Sequence, residues 1–566
     1  MKNALRIASA ALISVALLPG SFAQTPTAQP ATDIPKLVEN IDVRIINVDV
    51  VVTDKKGSVI TGLNKDDFEI FENGVPKPIS NFYAVEGGKP TEVEPPAPAP
   101  APTSTAPAAA REELPDNLKR RIIFYIDNLS MAPFNRNRVF KSMKEFAKST
   151  MRPGDEAMIA TFNRSMKVRV PFTRDPVQIE QMLDSIAGES AMGTTNTSER
   201  KQVQDRIKET SSYDEALASA RSYAQSVEHD LRQSAESLNG LMTTLAGVEG
   251  KKVLVLASEG FPMQPGREVF QYIDEVANQK NWRFSGTILE GMSFDSTSLI
   301  QSVARTANAN GITMYTVHAA GLSGGNEMSA ENASPTPVSV SQAIISNTTD
   351  SMRLMADMTG GLASIQTNNF AQAFRNIERD LSTYYSLGYR ASTERVDRQR
   401  QLTVRVKNKN YVARARQTFV EKSTFAEMND KVIANLLYKT KQNDLKILVR
   451  LGSPVETDEL YRVPLEIQIP MDSLTLLPQG DDLYVGGFDV YVAVANKDGD
   501  MSDVSRKTHQ IRVPTTDLAR SRGKYYAYSI DLLMEKGLNK ISIGVVDNVT
   551  NVNGFAREQI IAQNLR

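Results

Sequence analysis

The chain has 566 residues, 65 Lys and Arg against 66 Asp and Glu, and 41% apolar side chains. This length is more than one hydrophobic core organises, so about three or four domains are expected. Balanced charge excludes a global field toward nucleic acid or an anionic membrane, and the absence of cysteine excludes disulfides, thiolate metal sites and cysteine nucleophiles.

His229, His318 and His509 lie far apart, without the spacing of a zinc site. Residues 1–23 read as a signal peptide. Lys2 and Arg6 form the basic start, Ile7 to Leu18 the apolar core, and Ser21-Phe22-Ala23 a small-x-small cleavage site. That core is shorter than the ~20 residues a membrane span needs, so export is expected rather than anchoring. No later segment reads as a span.

Residues 24–40, rich in Pro, Thr, Ala and Gln, are expected to be a flexible lead. A small β module is expected over 41–85. Val43, Ile45, Val48, Val50 and Val52 belong to a β-branched run, Asp67 to Glu72 alternates, and Asn73-Gly74 is a strong hairpin signal. Residues 86–114 hold a Pro/Ala tract that cannot bury a core and reads as a linker.

The central domain is expected over 115–420. Arg121 to Ile126 is apolar on both faces, which suits a strand of a covered parallel sheet, and it stops at Asp127-Asn128-Leu129-Ser130. Lys251 to Ala257 does the same before Ser258-Glu259-Gly260. Ligands bind outside the carboxyl ends of such strands, so Asp127 and Glu259 are expected on one rim. Helices are predicted over Arg136 to Met151, from Pro176 through Ile186, and from Tyr213 to Ala246. Strands are predicted at Ala157 to Phe162, Arg283 to Ile288 and Ile312 to His318. Residues 188–212 and 320–345 read as loops. Helices near 266–279, 299–309, 350–359 and 369–381 precede a strand at Tyr384 to Tyr389, whose expected neighbour is Gln401 to Val406. Alternating strands and helices point to a doubly wound sheet.

A connecting helix is expected over 421–440. Residues 441–566 carry short strands from Leu445 to Val546 with turns such as Lys497-Asp498-Gly499-Asp500, the pattern of an antiparallel β-sandwich.

The pieces Gly62 to Phe68, Glu72-Asn73-Gly74, the Asp127 strand end, Gly250 to Val255, Met358 to Gly361 and Tyr384 to Tyr389 add up to a resemblance. In order and spacing, Ile41 to Phe419 resembles the exported von Willebrand factor A-related proteins known mainly from acidobacteria. The resemblance implies an α/β, Rossmann-like domain that binds protein ligands, often through a magnesium held by Asp-x-Ser-x-Ser, a Thr and an Asp. Asp127 matches the first ligand, but Leu129 and Met131 stand where the serines belong. Thr194 or Thr195 supplies the threonine, Glu259 stands at the Asp position, and Ser130 is a hydroxyl one place off. The resemblance therefore implies a degenerate site at Asp127, Ser130, Thr194 and Glu259. The expectation is no cofactor beyond weakly bound magnesium or calcium. Asn128, Thr195 and Ser258 complete the expected ligand-binding rim.

Gly321-Leu322-Ser323-Gly324-Gly325 fits the Gly-x-Ser-x-Gly pattern of a hydrolase nucleophile, yet a loop-like stretch follows it where that motif needs a helix. The leading expectation is a non-enzymatic exported protein that binds an unidentified protein ligand, without nucleic acid. The alternatives are a hydrolase using Ser323 and a structural subunit of an envelope assembly.

Overall fold

The computed structural model describes residues 45–91, 119–282, 287–322, 337–391, 396–438, 440, 442–457 and 460–563. The expected signal peptide and flexible lead, most of the Pro/Ala linker and Ser323 lie outside these residues. By internal contacts the chain forms two units, Arg44–Leu245 with Glu249–Glu421, and Lys422–Arg566 with the short segment Ala246–Val248.

The larger unit begins with β1 (Ile45–Asp54), β2 (Phe68–Glu72), β3 (Val75–Lys77), β4 (Ile79–Glu86) and β5 (Lys89–Thr91). An alternating stretch follows: β6 (Arg120–Asp127), α1 (Pro133–Thr150), β7 (Glu156–Phe162), β8 (Met166–Thr173), α2 (Pro176–Ala187), α3 (Gly193–Glu209), α4 (Tyr213–Thr244) and β9 (Lys251–Ser258). It continues with α5 (Arg267–Lys280), α6 (Thr287–Met292), α7 (Thr297–Ala309), β10 (Ile312–His318), α8 (Val338–Thr359), β11 (Ala363–Ser364) and α9 (Phe370–Ser382). The unit ends with β12 (Tyr384–Arg390), β13 (Gln399–Val406), β14 (Tyr411–Arg414) and β15 (Thr418–Val420).

Strands apolar on both faces belong at the centre of a covered sheet, and β6 and β9 sit there side by side. The order is β11-β10-β9-β6-β7-β8, parallel throughout except for β8. Ile122, Phe124, Val253 and Val255 face Val139, Phe146, Ile179 and Phe374 of α1, α2 and α9 in one core. From β6 the chain winds outward through β7. From β9 it winds the other way through β10, so the topological switch lies between β6 and β9. At such a switch the helices diverge and leave a crevice beyond the strand ends.

Residues 45–91 do not complete their own module. The strand at Tyr384 was expected to pair with Gln401 to Val406, but β12 lies instead between β1 and β4, with Val48 opposite Leu387 and Ala84 opposite Tyr385. Meanwhile β13 pairs with β2 and β15. The reason is burial: β12 is buried from Tyr384 to Tyr389 and needs a neighbour on each side, which a single hairpin partner cannot give. Two antiparallel sheets, β14-β1-β12-β4-β5 and β15-β13-β2-β3, share a core of Val48, Val50, Phe68, Ile70, Tyr385, Leu387 and Leu402. Asn73 and Gly74 turn β2 into β3 with φ of 49° and 80°, as a tight hairpin turn requires.

Three other expectations are corrected. Residues 193–209, read as loop, form α3. Only Gly193, Gln204 and Ile207 of α3 are buried, so the helix carries no apolar stripe to announce it. The later part of the 320–345 loop is the start of α8, whose first turns bury Val340, Ala343 and Asn347, while its large buried apolar residues, Met352 and Met355, come only in the stretch already expected to be helical. The strand expected at Arg283 to Ile288 gives way to α6 from Thr287, residues 283–286 lying outside those described.

In the smaller unit, α10 (Thr424–Leu437) packs Met428, Val432 and Leu436 on Tyr491, Val546 and Phe555. One antiparallel sheet holds Leu448–Leu451, Val455–Thr457, Leu460–Pro470 and Tyr525–Met534. A second holds Leu477–Gln479, Leu483–Ala495, Ser505–Pro514, Gly537–Asp547 and Asn553–Ala562. Val463, Leu465 and Ile467 of the first meet Val490, Val492, Ile543 and Val545 of the second in one cluster.

Candidate functional site

Register brings the two acidic strand ends together. Ile126 pairs with Ala257, so Asp127 and Ser258 end adjacent strands at the switch. Asp127 is 1% exposed and its carboxylate is saturated from within. The Leu129 and Ser130 N–H groups donate to Oδ1 at 3.2 and 3.3 Å, and Ser258 Oγ donates to Oδ2 at 2.8 Å. Ser258 Oγ also accepts from the Gly260 N–H at 2.9 Å and lies 2.9 Å from Ser130 Oγ, which accepts from the Glu259 N–H at 3.1 Å. A continuous chain of hydrogen bonds thus ties one strand end to the other.

Glu259 is tied to the next element. Its Oε1 accepts from the Ala132 N–H at 2.7 Å and from Asn135 Nδ2 at 3.0 Å. Ala132 is the N-cap of α1 and has no side chain to satisfy the exposed amides, so Glu259 caps the helix from outside, at the end where negative charge is favoured.

The turn after β6 is also stitched to α3. The Met192 N–H donates to the Asn128 carbonyl at 2.8 Å, the Gly193 N–H to the Met131 carbonyl at 3.0 Å, and Asn196 Nδ2 to the Leu129 carbonyl at 2.8 Å. A Cβ on Gly193 would lie 2.4 Å from the Ala132 nitrogen and 2.6 Å from the Ser130 carbonyl oxygen, so only glycine permits this approach. Thr194 and Thr195 follow it, both exposed on the first turn of α3.

The expected site residues therefore separate by depth. Thr194 and Glu259 line an open cleft of about 640 Å³, with Ser130 and the edge of Asp127 at its floor. Asn128 and Ser258, expected to touch a ligand, are 3% and 0% exposed and support the rim from behind. The Asn128 Oδ1 accepts from Arg136 Nη1 at 3.1 Å, and Arg136, fully buried, also donates to the carbonyls of Ala187 and Glu189 at 3.0 and 2.9 Å. Sequence reasoning missed Arg136, although an arginine in register with Val139, Phe140 and Met143 on an apolar face is a visible oddity. Phe134, 71% exposed at the mouth of the cleft, and Leu322, 60% exposed, were missed too; an isolated apolar residue carries no sequence signal of exposure.

Burial pushes the Asp127 carboxyl above the usual carboxylate range, against the pull of the Ser130 and Ser258 hydrogen bonds. Burial raises Glu259 as well, with Asp127 nearby adding to it. His318, at the end of β10, is pushed down by burial and stays neutral near pH 7. Hydrogen bonds to the backbone of Glu259 and Gly321 oppose that shift.

A hard cation wants several oxygens free to converge on it. Both oxygens of Asp127 and both serine hydroxyls are spent on each other and on backbone amides, and Leu129 and Met131 offer none. Among the described residues no cluster of three His, Asp or Glu side chains could hold an ion. The residues as arranged do not fit a magnesium or calcium ion.

No protein-family model and no curated protein matches the chain. Solved structures give faint likenesses. The von Willebrand factor domain of the type V pili tip protein Mfa5 from Porphyromonas gingivalis is 13% identical, over 46% of this chain and 94% of that one, with a TM-score of 0.23. A conserved hypothetical protein, BatB from Bacteroides thetaiotaomicron, is 10% identical over 47% and 97%, at 0.21. The manganese-loaded TRAP protein of Plasmodium vivax is 9% identical over 53% and 93%, at 0.21. Likenesses this slight carry no argument, and the site stands on its own geometry.

Proposed function

We propose that the chain is an exported, non-enzymatic interaction protein that docks a protein partner on the rim beyond β6 and β9, without a resident metal. The observation that carries this reading is the open cleft at the topological switch, mouthed by exposed Phe134 and Leu322 and floored by carboxylates already satisfied by hydrogen bonds. Exposed aromatic anchors beside a preformed pocket are what protein recognition uses. Export rests on the sequence of residues 1–23. No described helix is long and apolar enough to cross a membrane.

Affinity capture from envelope and culture fractions of the source organism tests the reading, with the full chain compared against a Phe134→Asp variant that keeps the wild-type circular dichroism. A partner retained by the wild type and lost by the variant is expected. Identical profiles from both would overturn the assignment of the rim.

A further inference from the structure

Among the described residues, the sandwich of the smaller unit leaves one long strand edge open. Tyr525–Met534 pairs with Leu460–Pro470 alone, in a register that sets Asp531 opposite Pro464. On its far side Leu460–Pro470 pairs with Leu448–Leu451, and there the Pro464 carbonyl accepts from the Gly452 N–H at 2.7 Å. Residues of an antiparallel ladder turn their backbone groups alternately to one side and the other, so Pro464 and Asp531 exchange no bonds. Asp531, and with it Ser529 and Ala527, therefore turns its N–H and C=O to the open edge. All three residues are exposed.

Folded chains blunt such edges by keeping them short or by placing charges or proline on them. The other border strands among the described residues follow that rule. β3, β5, β11, β14 and β15 run two to four residues, as do Leu448–Leu451, Val455–Thr457 and Leu477–Gln479. β8 carries Lys167, Arg169 and Pro171, Ser505–Pro514 carries Arg506, Lys507 and Arg512, and Asn553–Ala562 carries Arg557 and Glu558. Tyr525–Met534 has ten residues without Lys, Arg or Pro, and its one charge, Asp531, is paired with Arg462 at 3.6 Å. The side chains beside the edge are half-covered as well. Tyr526, Tyr528 and Ile530 pack on the sandwich core yet stay partly exposed, with Tyr526 and Tyr528 held by Phe488 and His509 at 5.2 and 4.3 Å between ring centroids.

We infer that this edge is a homodimer interface, formed with the same strand of a second copy running antiparallel about a two-fold axis. A register centred on Ser529 sets Tyr525 opposite Leu533 and Ala527 opposite Asp531, so outward backbone groups meet their like and no equal charges face each other. The same register sets Tyr526 opposite Leu532 and Tyr528 opposite Ile530, which continues the core across the axis. A foreign strand is selected by charges or side-chain pockets along an edge. Here the one charge is already paired, and the strand whose alternation matches this edge is its own. The interface uses no residue of the rim and does not rest on the docking reading.

The test follows the purified full chain by sedimentation velocity over a concentration series, and a monomer–dimer equilibrium is expected. Ser529→Pro removes an outward N–H and no bond to Leu460–Pro470, and should weaken the dimer about tenfold or more because the axis doubles each loss. Ser529→Lys opposes two ammonium groups at the axis and provides the readout should the proline variant not fold. The chain has no cysteine, so Ser529→Cys should crosslink to a dimer with a short bismaleimide, and Gln559→Cys on the far border of the second sheet should not. A wild-type chain that stays monomeric, a dimer that withstands both substitutions, or crosslinking through 559 instead of 529 would overturn the inference. So would a chain that is monomeric when pure and crosslinks through residue 529 only to another protein of an envelope extract, which would assign the edge to a foreign strand.

Discussion

At the scale of single residues, Asp127 makes the sharpest statement. Its folded pKa is raised by burial above the unfolded value of about 3.9. For a group raised in this way, the contribution to stability is complete below the unfolded pKa and is lost as pH rises through the folded one. Asp127→Asn keeps an oxygen for the Leu129 and Ser130 amides and an NH₂ for Ser258, but has no charge to lose. The variant should therefore gain on the wild type as pH climbs above about 4, in urea unfolding run as a pH series. A divalent ion resident at Asp127 would give the opposite sign. Gly193 gives a second test. Backbone atoms 2.4–2.6 Å from the Cβ of an alanine placed there cannot yield cheaply, and Gly193→Ala should cost about 1–3 kcal/mol in denaturant unfolding.

Among the elements, the strands of the central sheet were the most legible, because a run buried on both faces writes its pattern directly into the chain. Asp127 and Glu259 were readable as neighbours for the same reason: strand ends in a parallel sheet share an edge. What escaped was set by contacts distant in sequence. The helix α3 draws on bonds to residues 129–131, and the first turns of α8 bury only Val340, Ala343 and Asn347. The position of β12 depends on two partners far upstream, β1 and β4, and nothing in Tyr384 to Tyr389 names them. Pairing across that distance leaves a mark in Arg400, which bonds Glu72 Oε1 at 2.9 Å and Glu421 Oε2 at 2.7 Å with all three side chains buried. Arg400→Ala strands two buried carboxylates, and a loss of about 3–5 kcal/mol in urea unfolding is expected.

For the whole molecule, the first β sheets are assembled from both flanks of the alternating α/β stretch. A fragment of residues 45–91 alone lacks β12 from its middle, and its circular dichroism should be that of an unfolded chain. The intact arrangement leaves the carboxyl edge of the β6/β9 pair as an open cleft, and the central claim is that a partner docks at that edge. A photo-crosslinking scan in the source organism tests this most directly, with the reactive residue placed in turn at Phe134, Thr194 and Leu322 around the rim and at Val412 on β14. Adducts from the rim positions alone, undiminished by EDTA, are predicted; adducts from Val412 with none from the rim, or rim adducts that vanish with the chelator, would contradict it.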